Sequence, residues 1–206
     1  MVINWYGEGC FKIQTGGLSL LTDPFESGTG LTPPRGKVEV TVKTLTPWPI
    51  KNDAEPESRV ISGAGEYEAQ GVIIEGFGLP KESSEKFLKT VYKAVAEEIT
   101  IGLLGHISEE LTPEALDALR DSHIIVLPAG GRPFINQEAA AKLIKQLNPK
   151  IILASFFKVP GLKRGGSDWK LLAEELGQKA EVLEKLTIRR KEITEQKGVR
   201  FVTLSI

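Results

Sequence analysis

Hydrophobic and polar positions follow two rhythms along this chain. Residues 2–6, 10–14 and 18–22 are short alternating or apolar runs separated by Gly7, Gly9, Gly16 and Gly17, the pattern of strands joined by tight turns. Residues 37–43 (KVEVTVK) alternate with a period of two, and 59–62 and 72–77 are further strand candidates flanked by glycine. Residues 87–95 and 99–104 form a hairpin pattern across 96–98. Beyond this point apolar runs alternate with helical spacing. Thr112 precedes Pro113 and an apolar face of Leu111, Leu116 and Leu119, which predicts a capped helix. A buried strand is expected over 124–128, a helix over 137–147 capped by Asn136, and another apolar strand over 151–157. A third helix, 168–176, is expected to be capped by Ser167 and stopped by Gly177. Residues 181–195 are charged and mixed, and 200–206 close the chain as a strand. Strands first and strand–helix alternation afterwards predict a layered α/β fold of two sheets with outer helices. The segments 32–37 and 51–57 read as loops, and one domain over 1–206 is expected.

Composition narrows the classes. The chain has 206 residues, 41% hydrophobic and 26% charged, with a net charge of −1. That balance suits a core that needs no disulfide or metal to fold and points to neither a polyanion nor a membrane surface. The single cysteine, Cys10, cannot form an internal disulfide, and a cytoplasmic location is expected. The start lacks the pattern of a signal peptide, and no run of about 18 apolar residues predicts a membrane span.

Several segments together carry a resemblance. INWYGEGCFKIQTGG followed by LLTDPF, ISGAGEYEAQGV at 61–72, VLPAGGRPFINQEAA and KIILASFFKVPGLK are similar, in the same order, to segments of metallo-β-lactamase-fold proteins. The nearest branch is the small zinc-dependent hydrolases related to ascorbate-6-phosphate lactonase. The resemblance runs from about residue 2 to the C-terminus and implies an αβ/βα four-layer sandwich.

In that family the strand matching 38–43 leads into a Ser-His-x-His-x-Asp-His loop whose side chains hold zinc. Here the loop reads Thr44-Leu45-Thr46-Pro47-Trp48-Pro49-Ile50. The histidine positions fall on Leu45, Pro47 and Ile50, and the aspartate on Pro49. A later aspartate falls near Leu103, the final histidine on Phe156, and the early Gly-His-Ser on Gly7-Glu8-Gly9. A middle histidine would lie near residues 79–81, where there is none. Zinc takes imidazole, thiolate or carboxylate, so the metal-ligand motif is lost and no cofactor is expected. Leu45, Trp48, Ile50 and Phe156 are expected to fill part of the vacated volume, because packed interiors disfavour voids.

The remaining chemistry is sparse. Of the two histidines, His123 reads as structural and His106 as a residue bordering the pocket, able to bind a ligand or shuttle a proton. Glu8, Asp23 and His106 are the catalytic candidates, and Glu66 and Glu68 are expected nearby. Cys10 reads as a buried inert thiol. Lys158, Lys163, Arg164 and Ser167 form a basic stretch ahead of a predicted helix, a candidate site for a small anionic ligand. The leading expectation is a metal-free protein that binds a ligand, a protein partner or a second copy of itself. The alternatives are a hydrolase using substitute ligands or a metal-free pocket, and weak nucleic-acid association through 186–200, where Glu192 and Glu195 break the basic run.

Overall fold

A computed structural model describes residues 1–49 and 59–206. The N-terminal strands are β1 (Val2–Gly7), β2 (Cys10–Gln14), β3 (Ser19–Thr22), β4 (Val40–Lys43), β5 (Leu45–Pro47) and β6 (Arg59–Ser62). They are followed by β7 (Gly65–Ala69), β8 (Val72–Gly78), β9 (Phe87–Ala96) and β10 (Ile99–Leu103). The C-terminal half runs α1 (Pro113–Leu119), β11 (Ile124–Pro128), α2 (Gln137–Leu147), β12 (Ile151–Ser155) and α3 (Lys170–Glu175). It closes with β13 (Ala180–Leu183), β14 (Leu186–Thr187), α4 (Arg190–Glu195) and β15 (Arg200–Leu204).

Two sheets face each other across one apolar core. The first has the order β14-β1-β2-β3-β4-β6, and the second β13-β15-β12-β11-β10-β9-β8-β7, with β5 also pairing β9. β1 alternates half-buried and buried positions along its whole length, the mark of a strand with one face on the core. β11 and β12 are buried at every position, as parallel strands covered on both faces must be. This is the αβ/βα arrangement that the resemblance implies. Among the described residues no α-helix precedes β10, so the helical layers come from the C-terminal half. No helix among them is long and apolar enough to cross a membrane.

α2 shows why these residues form this element. Ala140, Leu143, Ile144 and Leu147 are buried along one face, at the spacing of a helix packed on a sheet. Asn136 Oδ1 accepts the Ala139 N–H at 2.9 Å, and Asn148 ends the helix in the left-handed conformation before Pro149.

Several expectations are corrected. Residues 45–47 form a strand because they pair with β9, Leu45 opposite Lys89 and Pro47 opposite Phe87. Residues 65–69 pair with β8 as the edge of the second sheet, which carries Glu66 and Glu68 away from the cavity described below. The third helix starts at Lys170, not after Ser167. Ser167 is pinned between two loops: its N–H donates to the Gly130 carbonyl at 2.8 Å and its carbonyl accepts from Lys158 at 3.0 Å, so it cannot open a helix.

Asn136→Ala removes the cap of α2 and is expected to cost about 1 kcal/mol, lowering Tm by about 2–4 °C in thermal unfolding.

Candidate functional site

The carboxyl ends of β1, β3, β4, β10 and β12 meet at one end of the two sheets, and a cavity of about 370 Å³ opens there. Strand ends are where α/β folds commonly receive ligands. Asp23 follows β3, Thr44 follows β4, Phe156 follows β12, Glu8 follows β1, and His106 lies on the loop after β10. Glu8, Asp23 and Phe156 all have positive φ, at 51°, 36° and 50°. Left-handed backbone is uncommon away from glycine, and its concentration here marks a place where chain direction is forced by the surroundings.

Two polar groupings line the cavity. In the first, Arg164 grips Glu8: Nε donates to Oε1 at 3.0 Å and Nη2 to Oε2 at 2.8 Å. The same guanidinium donates to the carbonyls of Phe156 at 2.9 Å and Gly165 at 2.7 Å. The Glu8 carbonyl accepts the Phe156 N–H at 3.1 Å and the Trp5 indole N–H at 3.0 Å. Glu8 and Arg164 therefore neutralise each other while tying the end of β1 to the loop after β12.

The second grouping is a chain of three side chains. Asp23 Oδ1 accepts the Thr44 N–H at 2.7 Å. Thr44 Oγ1 lies 2.6 Å from Asp23 Oδ2 and 2.7 Å from His106 Nδ1. Gly105 makes this possible. A Cβ there would sit 2.0 Å from Thr44 Oγ1, and its φ of 44° brings the loop over the end of β4. Behind His106, Glu82 anchors the same loop by accepting from the Ser108 N–H at 2.7 Å, the Glu109 N–H at 3.0 Å and Lys89 at 2.9 Å.

Burial pushes the Asp23 carboxyl up to about 7, although Thr44 donates to it and Lys43 lies near. Burial pushes the His106 imidazole down to about 4, with the charges of Lys89 and Arg164 adding to the effect. Cys10, beneath the site, is pushed up to about 12 by burial and by Asp23, an inert thiol. His123 lies elsewhere, with Nδ1 accepting the Thr100 N–H at 3.0 Å, and is structural.

The cavity wall is aromatic. Phe134 and Phe156 pack with centroids 4.3 Å apart and planes tilted by 40°, and His106 meets Phe156 edge-on at 4.8 Å. Gly9 leaves room for the Phe156 ring, since a Cβ there would lie 2.5 Å from it. Phe156 is buried and Leu45 lines the cavity. Trp48 does not fill it: the chain continues along β9, the Trp48 N–H donating to Lys86, and the indole is 47% exposed. Ile50 lies outside the described residues.

Of the residues singled out from sequence, Glu8, Asp23, His106 and Arg164 come together in this cavity. Lys158 and Lys163 are exposed on the following loop. With Arg164 committed to Glu8 and Ser167 off the helix, that loop offers an anion only its two lysines. The sequence does not single out Thr44 or Phe134 as site residues. A threonine after a strand carries no signal by itself, and Phe134 joins the wall only through the turn after β11.

Comparison with known proteins agrees with the fold. The profile of the β-lactamase superfamily domain matches residues 2–155. The chain belongs to that superfamily. Its fold is similar to that of a proposed Zn-dependent hydrolase of the metallo-β-lactamase superfamily from Thermotoga maritima, at 23% identity and a TM-score of 0.80, covering 100% of both chains. It is also similar to the metallo hydrolase Igni18 from Ignicoccus hospitalis, at 14% identity and a TM-score of 0.60, covering 91% of this chain and 99% of that one. A third similar structure is the metallo-β-lactamase-fold protein YhfI from Bacillus subtilis, at 10% identity and 0.61, covering 99% and 95%. No curated protein matches the chain.

Among the described residues the donors do not fit the zinc that the superfamily implies. Both Glu8 oxygens are held by Arg164, the Asp23 carboxyl is turned onto Thr44, and of these three cavity-lining side chains only His106 keeps a nitrogen, Nε2, without a partner among the described residues. Among the described residues no three His, Cys, Asp or Glu side chains are grouped to hold a metal ion.

Arg164→Ala strands the Glu8 carboxylate, whose side chain is only 11% exposed, and is expected to cost about 2–3 kcal/mol, read as a lower urea midpoint. The two shifted groups make a second prediction. Between about pH 4 and 7 folded Asp23 holds a proton that the unfolded chain releases, so its contribution to stability falls as pH rises. Between about pH 4 and 6.5 folded His106 lacks a proton that the unfolded chain binds, so its contribution rises with pH. The two slopes cancel over most of that window. Asp23→Asn is expected to leave stability rising with pH and His106→Gln to leave it falling, each by at most about 1.4 kcal/mol per pH unit, measured by urea unfolding across pH 4–7.

Proposed function

We propose that this member of the superfamily binds a small ligand in its strand-end cavity without a metal ion and is not a zinc hydrolase. One observation carries the reading. Leu45, Pro47 and Phe156, at positions where the resemblance puts zinc ligands, instead form walls of the cavity. Glu8, at another such position, is neutralised by Arg164. Aliphatic and aromatic side chains have no lone pair to give a cation, and a four-coordinate site needs several donors at once. What remains is a partly apolar recess with few polar groups, the usual make-up of a small-molecule site.

The hydrolase activity of similar proteins stays with those proteins, since a shared fold does not carry a shared reaction. Elemental analysis of protein purified without chelator is expected to find no stoichiometric zinc, manganese or iron. One or more zinc ions per chain, lost together with activity on chelation, would overturn the reading.

A further inference from the structure

We propose that the cavity takes a neutral aromatic heterocycle, and that Asp23, acting through the Thr44 hydroxyl, sets whether His106 Nε2 accepts or donates the hydrogen bond that holds it. This rests on reading the cavity as a metal-free ligand site. Thr44 Oγ1 lies 2.6 Å from Asp23 Oδ2 and 2.7 Å from His106 Nδ1, and the His106 N–H points to the same oxygen at 3.3 Å. A hydroxyl has one hydrogen to give, so it cannot donate to both neighbours.

Two arrangements satisfy the chain. With Asp23 ionised, the hydroxyl donates to the carboxylate, Nδ1–H donates to the hydroxyl, and Nε2 keeps its lone pair. With Asp23 protonated on Oδ2, the carboxyl donates to the hydroxyl, the hydroxyl donates to Nδ1, and Nε2 carries the hydrogen. Passing from the first to the second takes up one proton. It enters at Nε2, the Nδ1 hydrogen passes to Thr44 Oγ1, and the hydroxyl hydrogen passes to Oδ2. Oδ1 accepts the Thr44 N–H throughout, which keeps Oδ2 as the oxygen that titrates.

The surroundings decide where the proton rests. Asp23 faces Lys43, Cys10 and Tyr92, and burial keeps the thiol and the phenol protonated. His106 faces Lys89 and Arg164, whose charges oppose an imidazolium, while Glu8 is already paired. The imidazole therefore stays neutral near pH 7 and changes tautomer as Asp23 changes charge.

The ligand class follows from the wall. Nε2 has no partner among the described residues, and His106 lines a cavity whose other faces include Phe25, Phe134 and Phe156. The Phe134 and Phe156 rings, 4.3 Å apart and tilted 40° to each other, offer an aromatic guest edge-to-face and offset contacts. Glu8 and Arg164 neutralise each other, and Lys43, which also lines the cavity, is offset by Asp23 when that carboxyl is ionised, so the lining then carries no net charge and favours a neutral guest over an anion.

Long-range proton–nitrogen NMR on the 15N-labelled chain tests the relay directly. Only two histidines contribute, and His123→Gln assigns them. His106 is expected as the Nδ1–H tautomer at about pH 8.5 and the Nε2–H tautomer at about pH 6, on either side of Asp23's value of about 7. Asp23→Asn is expected to hold the Nε2–H form at both. Indole, which can only donate, and quinoline, which can only accept, serve as probes of similar size. Indole is expected to bind about fivefold tighter at the higher pH and quinoline about fivefold tighter at the lower, one hydrogen bond's worth. A single tautomer across this range in the wild type, which needs no variant to fold, overturns the relay. Probes that respond alike to pH, or that do not bind, overturn the ligand class. Neither result bears on metal content, which elemental analysis decides separately.

Discussion

Everything at the site depends on how closely the loop after β10 approaches the end of β4. Gly105 lies where any side chain would collide with Thr44. That approach places His106 within hydrogen-bond reach of a hydroxyl already claimed by Asp23. It also joins the two sheets, since β4 belongs to the first and β10 to the second. With a larger residue at 105 the sheets could still pack on their apolar faces, but the three polar side chains would no longer share one oxygen.

Two separate problems arise where Leu45, Pro47, Phe156 and Glu8 stand at positions that the resemblance gives to metal ligands. One is volume. Phe156 fills part of the space, and Gly9 lacks the side chain that would exclude its ring. The other is charge. A carboxylate at position 8 beside an apolar wall would be costly alone, and Arg164, 156 residues away in sequence, neutralises it with a two-point contact. The arginine also binds two carbonyls, so the pair doubles as a clasp between the end of β1 and the loop after β12. Such a clasp spends the charge that a free basic loop would have offered to an anion.

Much of the architecture was legible along the chain because it is written in local periodicity. β2 and α2 fall where alternation and helical spacing put them, and Thr112 and Asn136 are caps because their short polar side chains reach the N–H groups of the first turn. Ser167 looked equivalent and is not, because Gly130 and Lys158 hold its backbone in a loop. Leu45 to Pro47 read as loop because two prolines flank a tryptophan there, yet β9 offers that segment a partner.

The sequence by itself determined most of the strand and helix pattern, the scarcity of histidine and cysteine, and the candidates Glu8, Asp23 and His106, since each is a property of residue type and spacing. Only the tertiary structure decided what those residues do. Glu8 and Arg164 become a closed pair, and Trp48 becomes a surface residue although its loop borders the cavity. Asp23 and His106, 83 positions apart by their numbers, become one titrating unit through Thr44. The reason is physical: burial and the position of one hydroxyl hydrogen set the charges of that unit. Both depend on neighbours brought together from distant parts of the chain, which no local pattern encodes.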